Sequence, residues 1–246
     1  MKESVVRRFA VGYEYLCRIV LMLMVGQIAF LVHTVMGLVL GGFFPSVAAL
    51  YATFRTWLLD VEDRSWSIRR TWSTFHHAWR EEIASANLFG WPQLAVWALL
   101  AWDYYLANWN DMGTIGTAIS GVLLVLNVVY GLFVLISWAV RANFDEKPTW
   151  VVRTSLQMVI ARPLCSFMIA ALLLVTSWAY YTWPGLAAAL GLTVPVYAVM
   201  MAIYSFGRLP GMDVHVLEPL EERKENRERR FGKLRGGKSD DRANRQ

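Results

Sequence analysis

Charge punctuation is the feature that most constrains this chain. Apolar runs of about 20 residues, the length that spans a ~30 Å hydrocarbon core, alternate with polar connectors, and Lys and Arg fall only in every second connector. A soluble domain has no reason to sort its cations this way. A polytopic membrane protein does, because cationic loops stay on the cytoplasmic side. Six spans with the N-terminus inside put all 24 Lys and Arg residues on one side. They fall in the head (Lys2, Arg7, Arg8, Arg18), the first connector with the end of the second span (Arg55, Arg64, Arg69, Arg70, Arg80), the second connector (Arg141, Lys147, Arg153, Arg162) and the tail. The outer turns carry none. Composition agrees, since only 17% of residues are charged against about 25% in soluble domains.

The fold expected is all-α: an integral membrane helical bundle of six transmembrane helices, arranged as three hairpins with amphipathic cytoplasmic connectors. Residues 1–17 form a basic cytoplasmic head, with no cleavable signal peptide evident. Residues 18–206 form the bundle. Residues 207–246 form a charged cytoplasmic tail, partly disordered. The spans expected are 18–40, 43–59, 88–107 with Pro92, 114–140, 164–181, and 186–206 with Pro195 near its middle. Cys17 and Cys165 read as reduced packing residues.

The second span is the marginal one. Gly41, Gly42 and Pro45 make a tight turn into it. Its 17 residues reach roughly 25 Å at 1.5 Å each. With Arg55 snorkelling and Trp57 at the interface, it is read as a thin but full crossing. Were it not a crossing, the arginines of residues 60–87 would lie outside.

Both connectors carry helical periodicity. In the first, Ile68, Trp72, Phe75, Trp79 and Ile83 recur at spacings of three and four. This reads as a helix lying on the membrane surface, the alternative being one packed on neighbouring elements. In the second, Trp150, Val151, Ser155, Met158 and Val159 mark an amphipathic lead-in to the fifth span.

Polar residues inside hydrocarbon are costly, so each is a candidate site. Gln27, His33, Asp103 and Asn127 form that set. Turned inward they would line a pocket open to the outside, with Asp103 and His33 as a charged pair. Alternatively, Asp103 reaches outer headgroups beside Tyr104 and Tyr105, while Gln27 and Asn127 act as interhelical glue. His77 and Glu81 lack a third metal ligand in register. There is no His-Glu-x-x-His, Cys-x-x-Cys, phosphate loop or Ser-His-Asp set. The expectation is a protein that is not an enzyme, with no cofactor, no metal site and no nucleic-acid partner.

The stretch GGFFPSVAALYATFRTWL resembles the Gly-Pro-x-x-Ala-Ala-Leu-Tyr segment of the YesL family, through Gly42, Pro45, Ala48, Ala49, Leu50, Tyr51 and Arg55. FHHAWREEIASANLFG is similar to that family's aromatic-rich lead into the next span. RANFDEKPTWVVRTSLQMVIARPL is similar to its Arg-Phe-Asp connector and x-Pro-Leu helix start, here Arg141, Phe144 and Pro163. The likeness runs over residues 10–205. It departs in the first span, where the family tends to carry Asn and this chain offers Gln27 and His33. The family consists of bacterial membrane proteins of unknown activity whose genes often accompany carbohydrate-uptake genes. The resemblance therefore implies a multi-pass protein of the bacterial plasma membrane, with both termini cytoplasmic, serving as an accessory to carbohydrate uptake. The partners expected are the lipid bilayer, a carbohydrate ABC-type permease docked through Ala48, Ala49, Gly121 and Gly131, and a second copy of the chain. The competing expectation is a small-solute transporter or channel lined by Gln27, His33, Asp103 and Asn127.

Overall fold

The computed structural model describes residues 2–60, 65–110 and 113–207. The expected tail, residues 207–246, lies outside these apart from Gly207. Every regular element among the described residues is helical. They are α1 (Lys2–Met36), α2 (Phe43–Leu59), α3 (Ile68–Glu81), α4 (Ile83–Trp109), α5 (Gly113–Asn143), α6 (Pro148–Ala161), α7 (Pro163–Thr182), α8 (Pro184–Leu190) and α9 (Thr193–Ala202). A π-helical turn at Ile203–Gly207 ends the described chain.

Four stretches are long and apolar enough to cross a membrane: Leu16–Met36, α4, α5 and α7. The bent pair α8 and α9, with its π turn, makes up to five. The protein is an integral membrane protein by these helices, but α2 is not among the four. Twelve of its 17 residues are buried, against contacts from α1, α3, α4, α5 and α9. A helix that is apolar all round must be covered on every side, and here the cover is protein. Trp57, expected at the interface, is 1% exposed and lies 6.2 Å from the Tyr197 ring. Ala48 and Ala49 are equally enclosed.

The turn between α1 and α2 shows why its glycines are there. Leu38 and Val39 take the left-handed backbone, at φ 57° and 64°, which β-branched valine adopts only under strain. The glycines serve close approach instead. A Cβ on Gly42 would sit 2.5 Å from the Thr34 carbonyl oxygen and 2.8 Å from that of His33. This turn packs near the start of α4: Asn87 Nδ2 donates to the Gly41 carbonyl at 2.8 Å. The opposite end of the α4–α5 hairpin is marked by Ser120 donating to Asn108 at 3.0 Å, roughly 30 Å further along α4 at 1.5 Å per residue. The first hairpin therefore does not place its turn beside that of the second, as three like hairpins would.

Helix α3 is capped by Ser67, whose Oγ accepts from the Arg70 N–H at 3.2 Å. Thr71, Phe75 and Trp79, four apart, form its buried face. That face rests on α1 and α2, the packed alternative for the first connector. At its start, Asp60 accepts from Trp66 Nε1 at 2.9 Å and from Arg70 at 2.7 Å. Helix α6 buries Val151, Ser155, Met158 and Val159, the face expected of the second connector, mainly against α5.

The last expected span is broken. Helices α8 and α9 meet at 72°, and Pro195 sits in the first turn of α9 rather than mid-helix. The cause is backbone chemistry. Proline has no N–H to give the carbonyl four residues earlier, and its ring crowds it. That carbonyl belongs to Gly191. Tyr180 OH supplies the missing donor, at 2.9 Å to Gly191 O and 3.1 Å to Leu190 O.

Candidate functional site

The four polar candidates do not meet. Asn127, half-buried on α5, donates to Leu100 O on α4 at 3.1 Å and to Leu123 O on its own helix at 2.9 Å. It ties the two helices together. Asp103 is exposed on α4 and makes no ion pair with His33 or any other described residue. Gln27 is buried, its Oε1 without a hydrogen-bond partner and its amide against Gly191, where a Cβ would lie 2.6 Å from Nε2.

His33 has a different partner from the one expected. It is 1% exposed, and α3 builds an aromatic box around it. The rings of Trp72, Phe75 and Trp79 stand 5.3, 5.0 and 5.3 Å away. Nδ1 lies 2.8 Å from Ala29 O and Nε2 lies 2.9 Å from His76 Nδ1. A carbonyl only accepts, so Nδ1 of His33 carries the proton. In the neutral ring Nε2 is then the acceptor, and His76 Nδ1–H donates to it. The pair joins α1 to α3. Among the described residues no group of three or more potential ligands surrounds a metal-sized space. His77 and Glu81, also four apart, face solvent with 3.1 Å between them.

A concavity among the described residues lies elsewhere. A cleft of about 630 Å³ lies where α4 begins and α5 ends, bounded also by α2, the α5–α6 link and the start of α6. Its charged and polar lining is Arg55, Glu82, Ser85, Arg141, Asn143, Asp145 and Glu146, with Leu88, Phe89 and Val151 as apolar wall. This is a basic end of the bundle: the chain's Arg141, Lys147, Arg153 and Arg162 belong to the same links, whereas the α4–α5 and α7–α8 turns hold no Lys or Arg.

The lining residues differ in how far they are committed. Arg141 forms an ion pair with Glu82, which also accepts from Ser85 Oγ at 2.5 Å. Its guanidinium lies over Phe89 and Trp138, at 5.4 and 5.5 Å. Its charge is thus neutralised by Glu82 and its guanidinium faces are packed on aromatic rings. Asn143 is used too: Oδ1 accepts from Tyr204 OH at 2.6 Å, and Nδ2 donates to Ala139 O at 2.8 Å. Arg55 is not. Its Nε is buried without a hydrogen-bond partner, and it has no ion pair among the described residues. A buried donor left unmade costs about 1–3 kcal/mol, more when charged, so Arg55 is the group in this cleft that is poised for a ligand.

The expected family positions divide cleanly. Gly42 closes the turn, and Pro45, Ala48, Ala49, Leu50 and Tyr51 are core residues of α2. Tyr51 OH donates to Leu135 O at 3.1 Å. Pro163 opens α7. Arg55, Arg141 and Phe144 line the cleft. Of the four small residues expected to dock a permease, Ala48, Ala49 and Gly131 are buried inside the bundle and Gly121 is exposed.

A family model described as "Protein of unknown function, DUF624" matches residues 23–104. The Uncharacterized protein YesL of Bacillus subtilis (strain 168) is 22% identical over 160 residues, covering 65% of this chain and 72% of that protein. Both likenesses agree with the resemblance read from the sequence motifs. No solved structure matches the chain. The family model spans most of α4 and everything from the middle of α1 to it, so it takes in the His33–His76 pair, the α2 core and the Arg55, Glu82, Ser85, Leu88 and Phe89 side of the cleft. Arg141 and Phe144 complete the cleft from beyond its limit. The cleft was not legible in sequence because its members are scattered over nearly 100 positions. The one signal was a cation, Arg55, inside an otherwise apolar helix.

Proposed function

We propose that this protein is a membrane-embedded accessory that acts by binding, through the cleft at its basic end, and not by transport or catalysis. One observation carries the reading: the cleft joins the unpartnered Arg55 to Arg141 and Phe144, the cationic and aromatic positions of the family resemblance. A solute pathway is less well supported, because Asn127 is consumed by backbone carbonyls and Asp103 lies on an exposed helix face. The clustering of cations favours an orientation with this end in the cytoplasm of a bacterial plasma membrane; the α1–α2 turn lies at that same end, so a crossing α1 would start on the other side, against the expected cytoplasmic N-terminus. The link to a carbohydrate-uptake system and its ABC-type permease rests on the family resemblance alone; no feature of the cleft adds to it.

The test is co-purification in mild detergent from native-level expression, comparing wild type with Glu146→Arg, which reverses charge at the exposed rim of the cleft. A partner retained by wild type and lost from the variant supports the reading. Recovery of the wild-type chain with neither protein nor lipid attached overturns it. So does solute flux in proteoliposomes that disappears in Asp103→Asn.

A further inference from the structure

We propose that the cleft takes the headgroup of a zwitterionic phospholipid, with the phosphate on Arg55 and the ammonium at Asp145 and Glu146. This rests on the reading of the cleft as a binding site and names its ligand. Three observations lead to it. First, of the two arginines in the cleft, Arg141 is neutralised by Glu82, whereas Arg55 has a buried Nε with no partner. A planar guanidinium with free donors is the side chain best matched to a phosphate or carboxylate. Second, the cleft is not simply cationic. Asp145 and Glu146 line it, are exposed, and form no ion pair among the described residues. An anion alone would gain from Arg55 and lose at this rim. A ligand bearing a phosphate and a nearby ammonium gains at both. Third, Leu88 in the cleft wall is exposed on α4, a helix long and apolar enough to cross the membrane with little of its surface covered. The cleft is therefore open towards lipid, and Leu88 and Phe89 provide apolar surface beside the polar floor for the glycerol and first methylenes. Ser85 also lines the cleft and is committed to Glu82, so it does not compete for the phosphate.

The ligand chemistry, a phosphate ester with a neighbouring amine, exists both in lipid and as a soluble headgroup, and the experiment separates the two. Full-length protein is delipidated and offered an equimolar mixture of phosphatidylethanolamine and phosphatidylglycerol, and the retained lipid is counted by native mass spectrometry. Wild type is expected to keep one phosphatidylethanolamine in preference to phosphatidylglycerol. Arg55→Ala and Arg55→Lys should both lose it by tenfold or more, lysine because it lacks the Nε–H and the fork. Asp145→Asn with Glu146→Gln should invert the preference towards phosphatidylglycerol while still binding lipid, which also certifies a folded cleft.

A second readout is maleimide labelling of Ser85→Cys in a background without Cys17. Phosphatidylethanolamine nanodiscs should slow it relative to phosphatidylglycerol nanodiscs, and millimolar glycerophosphoethanolamine in detergent should not. Retention unchanged in both Arg55 variants, or a wild-type preference for phosphatidylglycerol, overturns the lipid assignment. Equal protection by the soluble headgroup also overturns it, in favour of a soluble phosphate ester. If the cleft cysteine reacts at full rate in every lipid and the wild type also co-purifies with nothing, it is the binding function itself that fails.

Discussion

The placement of α2 inside the bundle can be tested at Gly90. An added Cβ there would stand less than 3.0 Å from three atoms of the Phe44 ring. Normal carbon contacts are about 3.5–4.0 Å, so the ring would have to retreat by roughly an ångström. It has little room to do so. Phe44 is buried, parallel to Trp138 with centroids 6.1 Å apart, and edge-on to Trp91 at 5.2 Å. Overpacking of this kind costs about 1–3 kcal/mol. Replacing glycine by alanine in a helix interior returns up to about 1 kcal/mol. Gly90→Ala should therefore destabilise by about 1–2 kcal/mol. Phe44→Ala removes the obstacle at a cost of its own, about 3–5 kcal/mol for a buried phenylalanine. In that background the added methyl meets no ring, and Gly90→Ala should be neutral or stabilising by up to about 1 kcal/mol. The two changes should thus couple by roughly 1–3 kcal/mol, within the range seen for residues in contact. Reversible unfolding in mixed micelles, followed by tryptophan fluorescence from Trp91 and Trp138 beside the substitution, measures all four corners of the cycle. If Gly90→Ala costs the same with and without Phe44, α2 does not pack on α4 as described and the reasoning fails.

Three further outcomes are expected. Tyr180→Phe should cost about 1–2 kcal/mol by leaving the Gly191 carbonyl without its donor, while Leu190 O keeps the one from Thr193 Oγ1; the cost should shrink when Pro195→Ala restores a backbone N–H within reach of Gly191, as a thermal-denaturation cycle would show. His76→Ala should lower the melting temperature by removing the bond that joins α3 to α1. His33→Ala should lower it further, since it also empties the box of Trp72, Phe75 and Trp79; equal melting temperatures for the two would refute the box. Asn127→Leu should cost roughly 0.6–2 kcal/mol, the range for an interhelical hydrogen bond in a membrane, and should leave lipid retention by the cleft unchanged.

Which of these features could be read in advance follows from the kind of signal each one sends. The α6 face was legible because a helix half in contact with protein and half with a polar phase must alternate at 3.6 residues, and Val151, Ser155, Met158 and Val159 do. The aromatic face of α3 was legible for the same reason, although periodicity does not say what the face rests on; α1 and α2 cover it. The break at Gly191 was half legible. Pro195 announced a disturbance, but only the meeting with Tyr180 moves it to a 72° bend between two short helices. The His33–His76 contact spans 43 residues and had no local signal at all.

The sequence by itself determined the class of the protein. Long apolar runs set between sorted cations leave no alternative to an α-helical membrane protein, because unpaired backbone amides are intolerable in hydrocarbon. What only the tertiary structure decided is which apolar surface faces lipid and which faces protein. Lipid tails are about as apolar as leucine, so the pattern that marks a buried face in water is silent in a membrane. Hence Trp57, Ala48 and Ala49, readable as interface and docking residues, are core, whereas Leu88 and much of α4 lie open. The same silence hid the cleft: Arg55 in α2 stood out as a cation in an apolar helix, but only the packing of α2 against α4 and α5 leaves its Nε buried and unpartnered beside Arg141, Asp145 and Glu146.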